Sequence, residues 1–462
     1  MTYRRAVLNA LLKVTDSGAF ANLAAKDALS DVRPNDVGRS TALLYTTLEH
    51  LNYCDFLINA FAKGRLNGSV RGILRLGIAE MFFMNTPDHA VCNESVKLAA
   101  EIGKSQLKGY VNGVLRGIAR ARRDNSLPEL PADTVERLVI ETGYPDFFIR
   151  EQAERFGDGF AEAMLKARVE VSCVRAVYPN DIERVKAHLS DNGIAYKPSP
   201  LDDAVFAESV SGIAEDELFN DGSMTVQSIG AMLACRCLAP KSGDTVLDCC
   251  AAPGGKTAYL FDLMHRKGKI AAWDIHPHRI GLINNTLKRL NIPFKTFDNA
   301  EEQLARCFSD DSGNTVYTYV NDASAPCSGY GERFDAVLCD VPCSGLGGGS
   351  KPDARYRRKD SDIASLAELQ LKILESASTY LRPGGALLYS TCTISLRENE
   401  RVVEAFLEKH GEFSVDSLSP YLPEALKERG ENGMLTLFPN TDGTEGFFIA
   451  RLVKKPCGPN TK

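Results

Sequence analysis

The sequence predicts an α/β protein with an all-helical domain in front. Helical domain, linker and sheet domain follow in order: residues 1–125 all-helical, 126–223 a helical linker plus a small α/β module, 224–454 an open parallel sheet, 455–462 a disordered tail. Three observations carry this. Apolar residues recur at helical spacing from residue 3 to about 123 with no strand alternation. A polar, proline-containing break follows at 123–131. From about 224 short apolar runs alternate with amphipathic helical stretches, the signature of a parallel, doubly wound sheet.

The helices begin with Ala6-Val7-Leu8-Asn9-Ala10-Leu11-Leu12 and continue with Leu43-Leu44-Tyr45-Thr46-Thr47-Leu48. Arg71–Phe83 reads as a buried helix, and Asn93–Ala99 and Tyr110–Arg116 supply two more. Arg116, Arg120, Arg122 and Arg123 gather near one helix end, where cations also complement the helix dipole. Residues 132–170 read as helical. A strand near Val171–Val177, a helix Asp181–Asn192 and short strands make the small module. Later strands are expected at 244–248, 269–274, 334–340 and 385–391, with a helix Ala364–Tyr380 and a hairpin at 433–453.

With 462 residues, 44% hydrophobic and 25% charged, the chain is ordinary for a globular protein of about three domains. It has no apolar run near the ~18 residues a membrane span needs and no signal-peptide pattern at Met1–Ala6, so a cytoplasmic location with no membrane partner is expected. Its 13 cysteines include no Cys-x-x-Cys pair, and the seven histidines do not join them at zinc-finger spacing, so no metal is expected. Cys235, Cys237 and the adjacent Cys249 and Cys250 read as packed thiols, and His276-Pro277-His278 as polar helix-start residues. The net charge of −6 is unevenly spread: residues 1–125 carry 17 Lys and Arg against 11 Asp and Glu, a net of +6, which leaves −12 for the rest. A basic helical domain on an acidic body suits contact with phosphates.

The chemistry concentrates at strand ends, where open α/β sheets bind their ligands. Asp340-Val341-Pro342-Cys343 ends one predicted strand, and Tyr389-Ser390-Thr391-Cys392-Thr393 ends another. Two thiols facing one pocket suggest a nucleophile and a helper. Upstream, Cys250-Ala251-Ala252-Pro253-Gly254-Gly255-Lys256 joins a strand to a helix. It is neither a Walker loop, since position 250 is Cys, nor a G-x-G-x-x-G fingerprint. Pro253-Gly254-Gly255 gives a tight turn with a bare backbone, suited to a small ligand. Asp274 ends the next strand, where an acid commonly holds ribose hydroxyls, and Arg279 follows on the helix. The adenine-side acid is Asp298 or Asp322; Asp322 is preferred because 18 residues separate it from Asp340, room for one helix. Pro326-Cys327-Ser328-Gly329 copies the tetrapeptide at Pro342–Gly345 but lacks the preceding acid, and Cys327 reads as a loop thiol. Lys351, Arg355, Arg357, Arg358 and Lys359 form a basic run just after Cys343, either a phosphate-contacting surface or a solvated loop.

Asp340-x-Pro-Cys343, Thr391-Cys392 and Ala251-Ala252-Pro253-Gly254-Gly255-Lys256 together resemble the RNA cytosine-C5 methyltransferases that use S-adenosyl-L-methionine. The helical region, with Asn93-Glu94-Ser95-Val96 and Tyr110-Val111-Asn112-Gly113-Val114-Leu115-Arg116, resembles the NusB-type RNA-binding domain. The combination is similar to the bacterial Sun/Fmu (RsmB) family, which methylates cytosine in 16S rRNA. The likeness extends over Lys351-Pro352-Asp353, Gln370, Pro383-Gly384-Gly385, Glu398-Asn399-Glu400 and Gly446-Phe447-Phe448. Two positions depart from the family pattern: Thr393 stands for a usual Ser, and Ser228 after Gln227 for a usual Asp.

The resemblance implies a Rossmann-like S-adenosylmethionine-dependent methyltransferase domain acting as a monomer on 16S rRNA, with cofactor contacts at Cys250–Lys256, Asp274, Arg279, Asp322 and Asp340. It implies Cys392 as the nucleophile that adds to cytosine C6, Cys343 as the aid to elimination, Asp340 on the N3/N4 edge and Lys256 orienting the site. The chemistry agrees: C5 of cytosine is a poor nucleophile until a thiolate adds at C6, and a thiol near its ordinary pKa of ~8.5 must be activated to do so. The base must also leave its stack. Other readings are the same chemistry on tRNA or 23S rRNA, and a non-catalytic RNA-binding or antitermination factor built on residues 1–123.

Overall fold

A computed structural model describes residues 2–169, 172–210, 212–298, 306–309, 313–348 and 352–456. Lys351 and residues 457–462 of the expected tail lie outside the described residues. The chain divides into two compact units. The first holds the described residues up to Lys166 together with those at 352–359; the second holds the remainder.

The first unit is all-helical. Helix α1 (Tyr3–Ser17) starts where Thr2 accepts a hydrogen bond from the Arg5 N–H and ends at Gly18 in the left-handed conformation. Its buried residues Ala6, Val7, Ala10, Leu11 and Val14 follow the helical period. The helix Gly68–Phe83 is buried on nearly every side, as its largely apolar sequence predicts. One charged residue inside it, Glu80, is 1% exposed and takes a bidentate pair from Arg4 at 2.5 and 2.6 Å. On the helix Lys108–Arg123, Arg122 is spent on structure: it bonds Asp88 at 2.6 Å and lies over the Phe82 ring, whereas Arg116, Arg120 and Arg123 are exposed.

The second unit contains two sheets. Strands β1 (Ser172–Ala176), β2 (Tyr196–Pro198), β3 (Ala204–Ala207) and β4 (Met224–Val226) form a small antiparallel sheet in the order β2-β3-β1-β4, with the helix Ile182–Asp191 capped by Asp181. The main sheet contains β5 (Thr245–Asp248), β6 (Lys269–Asp274), β7 (Phe294–Phe297), β8 (Thr315–Val320), β9 (Phe334–Asp340), β10 (Leu381–Thr391), β11 (Phe413–Val415), β12 (Met434–Leu437) and β13 (Phe447–Lys454). Its order is β11-β13-β10-β9-β5-β6-β8-β7, with β12 also paired to β13. From β10 to β7 all neighbours run parallel; β13 is antiparallel to β10. The predicted doubly wound sheet is therefore present. Adjacent residues alternate between two cores, Leu338 and Leu388 facing one and Val337 and Leu387 the other.

Wholly buried Arg175 ties the small sheet to the main one. It bonds Gln227 Oε1 at 2.8 Å and Asp262 Oδ2 at 2.9 Å, and stacks on Tyr259. Ser228 caps the helix Ile229–Leu238 by accepting from the Ala231 N–H, a task Asp would also perform, so the departure at this position keeps its physical role. Cys235, Cys237 and Cys249 are buried as expected, whereas Cys250, at the start of the loop, is only half-buried, and the His276-Pro277-His278 run opens the helix Pro277–Arg289. Among the described residues no helix is long and apolar enough to cross a membrane.

Removing one partner of the Arg4–Glu80 pair strands a buried charge. Arg4→Met is expected to cost about 3–5 kcal/mol, read as a lower urea midpoint for the helical signal of the full chain; a change below about 1 kcal/mol would show that the pair contributes no more than a surface one.

Candidate active site

The site grows out of the pairing of β9 with β10. In their parallel register Leu388 faces Leu338 and Ser390 faces Asp340, so both strands end side by side at the carboxyl edge of the sheet. The loops beyond them stay together: the Val341 N–H donates to Ser390 O and the Gly347 N–H to Cys392 O, each at 3.1 Å. Position 347 admits no side chain, because a Cβ there would lie 2.1 Å from Gly446 O and 2.7 Å from Cys392 O. The result is that Cys343 Sγ sits 3.1 Å from Cys392 Sγ, a thiol contact well beyond the ~2.05 Å of a disulfide. Both cysteines are half-buried, so solvent and ligands reach them.

Asp340 is held from two sides. Its Oδ2 pairs with Lys256 Nζ at 2.6 Å, and its Oδ1 accepts from Ser390 Oγ at 2.8 Å. Burial alone works to lower the Lys256 pKa, but the Asp340 carboxylate outweighs it and holds the ammonium above its usual range. About a fifth of each side chain remains exposed, 20% and 23%, so this ion pair faces accessible space.

Lys256 belongs to the loop between β5 and the helix Gly255–Leu263. The Ala251 N–H donates to Trp273 O at the end of β6, Arg279 Nη2 donates to Ala252 O and Thr286 Oγ1 to Pro253 O. Gly254 has φ +99° and a Cβ there would press on the Ile283 backbone at 3.1 Å, whereas at Gly255 a Cβ would meet nothing within 4 Å. The turn is thus packed on one side and bare on the other. Beneath it, wholly buried Asp248 accepts from Thr257 Oγ1 at 2.7 Å; burial pushes its pKa up to about 7. Burial likewise pushes the Cys249 and Cys250 thiols up, which removes them as nucleophiles.

Asp274 ends β6, 2% exposed. Its Oδ2 lies 3.2 Å from Arg279 Nη1 yet takes no well-directed hydrogen bond. The amide Nδ2 of Asn321, one residue past β8, is also buried without a hydrogen-bond partner, and the Asn321 N–H donates to Asp274 O. An acceptor and a donor left without hydrogen bonds at the ends of the adjacent strands β6 and β8 fit a ligand that offers hydroxyls and a heterocycle edge, as S-adenosylmethionine does. Asn321 was invisible to the sequence reading. β8 is the strand beside β6, and Asp322 lies two residues beyond its end; β7, which precedes Asp298, lies outside β8 at the edge. Asp322 itself is exposed and accepts from the N–H and Oγ of Ser324.

Within the basic run after Cys343, Arg355 and Arg357 have partners of their own. Arg355 donates to Thr142 O at 3.3 Å and lies over the Tyr144 ring, and Arg357 donates to Ala19 O at 3.0 Å and lies over Phe20. These guanidiniums are engaged by carbonyls and rings of the helical unit rather than held open for phosphates. Their near neighbours gave no sign of this, since the partners lie hundreds of residues away in the chain.

The expected change at Asp248 follows from linkage. Its folded pKa of about 7 exceeds the ~3.9 of an unfolded Asp, so the folded state binds the extra proton and stability falls as pH rises from about 4 to about 7. Asp248→Asn keeps an acceptor for Thr257 without the charge. The variant is expected to gain about 2–4 kcal/mol over the parent at pH 8 and nothing at pH 4 in denaturant titrations; equal stability at both pH values would refute the buried-proton assignment.

Comparison with known proteins agrees with this architecture. Residues 235–453 match the family model described as 16S rRNA methyltransferase RsmB/F, and residues 1–120 match the NusB family. A probable ribosomal RNA small subunit methyltransferase B from Bacillus subtilis is 34% identical, with 98% of each chain covered. A ribosomal RNA small subunit methyltransferase B from Vibrio cholerae is 28% identical, again with 98% of each covered. The crystal structure of PH0851 superposes with a TM-score of 0.77 over 98% of both chains at 26% identity. The chain therefore belongs to the RsmB family of ribosomal RNA small subunit methyltransferases, with a NusB domain ahead of a Rossmann-like methyltransferase domain.

Proposed function

We propose that this protein methylates C5 of a cytosine in 16S rRNA, in the cytoplasm, with S-adenosylmethionine as donor and Cys392 as covalent nucleophile. The observation that carries the reading is the 3.1 Å approach of the Cys343 and Cys392 sulfurs at the ends of paired strands. The family relatives carry the rRNA assignment, and the exposed Arg116, Arg120 and Arg123 on a basic helical domain suit a phosphate backbone.

When bound, S-adenosylmethionine supplies an electrophilic methyl group. The loop Cys250–Lys256 would hold its amino-acid part, and Asp274, with Arg279 and Asn321 beside it, its ribose and adenine; Asp322 remains the candidate acid on the adenine side. Asp340, ion-paired with Lys256, retains lone pairs for the N4 amino group of the flipped base. Cys392 as thiolate donates its electron pair to C6, and the ring becomes an enamine nucleophilic at C5. After C5 has gained the methyl group, Cys343 helps remove the C5 proton. The electrons of that C–H bond restore the 5,6 double bond, and the Cys392 thiolate leaves with the pair it brought.

Tritiated methyl transfer to 16S rRNA, with bisulfite sequencing of the product, tests this. Cys392→Ala is expected to lower turnover by at least about 10³-fold. Cys343→Ala should instead accumulate a covalent RNA–protein complex that survives denaturing electrophoresis. Normal turnover by Cys392→Ala would end the assignment of the nucleophile, and methylation confined to tRNA or 23S rRNA would end that of the substrate.

A further inference from the structure

We propose that Glu398 and Asn399 are positioning residues, a two-armed clamp that sets the distance between the two site sulfurs. The proposal rests on the roles given above to Cys392 and Cys343. Both side chains are wholly buried, on the turn that leads into the helix Glu400–Lys409. One arm brackets Cys343. Glu398 Oε1 accepts from the Ser344 N–H at 2.8 Å and from Gln370 Nε2 at 3.0 Å, and the same Gln370 nitrogen donates to Pro342 O at 2.9 Å. The residues on either side of Cys343 are thus gripped by one carboxylate and one carboxamide.

The other arm brackets Cys392. Asn399 Oδ1 accepts from Thr391 Oγ1 at 2.6 Å, and its Nδ2 donates to Thr393 O at 3.0 Å. Ser344 Oγ and Thr393 Oγ1, 3.0 Å apart, join the two brackets directly. Tyr389 braces the turn itself, its hydroxyl donating to Glu398 O at 2.5 Å.

Two features separate this from ordinary loop packing. Asn399 occupies the N-cap position of its helix, where an Asn side chain normally accepts from the first-turn N–H groups. It makes no such bond, and both of its polar atoms go to the Cys392 loop. Glu398 brings a carboxylate into a sealed interior, an expensive choice that an apolar residue would avoid if filling space were enough. Adjacent residues therefore fix the flanks of two cysteines 49 positions apart.

The sulfur distance can be read without methyl transfer. Diamide, a two-electron thiol oxidant, takes one hydrogen from each thiol and leaves a Cys343–Cys392 disulfide, which peptide mass spectrometry of the full-length protein identifies. The parent chain is expected to form this bond readily. Glu398→Ala and Asn399→Ala should slow it by about tenfold or more, since displacements near 1 Å carry penalties of that order or larger. Glu398→Gln keeps the acceptor and should stay within about threefold of the parent, and Ser344→Ala, which removes only the joining hydroxyl, should slow it by about threefold. In RNA reactions Glu398→Ala should also accumulate the covalent adduct expected of Cys343→Ala.

Parent-like oxidation rates in folded Glu398→Ala and Asn399→Ala would overturn the clamp, whatever happens to methyl transfer. Slowed oxidation with no adduct in Cys343→Ala would leave the clamp standing and overturn the roles of the thiols. If Glu398→Ala does not fold, Asn399→Ala and Ser344→Ala carry the same comparison.

Discussion

The register between β9 and β10 governs everything built at the edge of the sheet. Side chains alternate faces along a strand, so a slip of one residue would turn each of them over and shift it by ~3.3 Å. Leu387 and Leu388 are wholly buried on opposite faces, as are Val337 and Leu338, so a slip in either strand would drive apolar side chains into the wrong core. The register is over-determined by hydrophobic burial, and the chemistry inherits its precision. Asp340 lies opposite Ser390 for this reason, and the two cysteines emerge from their strands close enough to touch.

Strand register alone would leave two loops free to splay beyond the sheet edge. Backbone bonds at Val341 and Gly347 begin to close that gap, and the polar side chains behind the cysteines complete it. On the other side, the Lys256–Asp340 pair links the β5 loop to the end of β9. Three segments far apart in the chain thus converge through one charged contact and one sulfur contact. The raised pKa of Asp248 fits this arrangement: with Lys256 already paired to Asp340, burial of a second carboxylate beneath the loop favours its protonated form.

Much of this was legible in the sequence because strand-helix alternation is local and because parallel strands end where ligands bind. Cys343, Cys392, Asp340, Lys256 and Asp274 all follow from that rule once the strands are recognised. The order of β8 and β7 was harder. Val316–Val320 and Phe294–Phe297 are both strands, and which lies next to β6 depends on how the chain crosses over, a choice no local pattern encodes. Arg355 and Arg357 misled for a related reason: a cation looks alike in sequence whether it meets a phosphate, a carbonyl or a ring. Asn321 and the Glu398-Asn399 pair looked unremarkable because their importance lies in partners supplied by other strands and helices.

The pairing of Asp340 with Lys256 bears on which base the proposed reaction can use. Paired with Lys256 and already accepting from Ser390, the carboxylate offers its remaining lone pairs to hydrogen-bond donors. Cytosine presents an amino group at N4, a donor, and satisfies it. Uracil presents a carbonyl oxygen at the same position, so two acceptors would face each other there, and only its N3–H could still donate. A site that leaves a polar group unpaired rejects the mismatched substrate far more strongly than one that merely lacks a contact. In the proposed reaction the same ion pair would therefore favour a base with an amino group at position 4, with discrimination arising before any bond to sulfur forms.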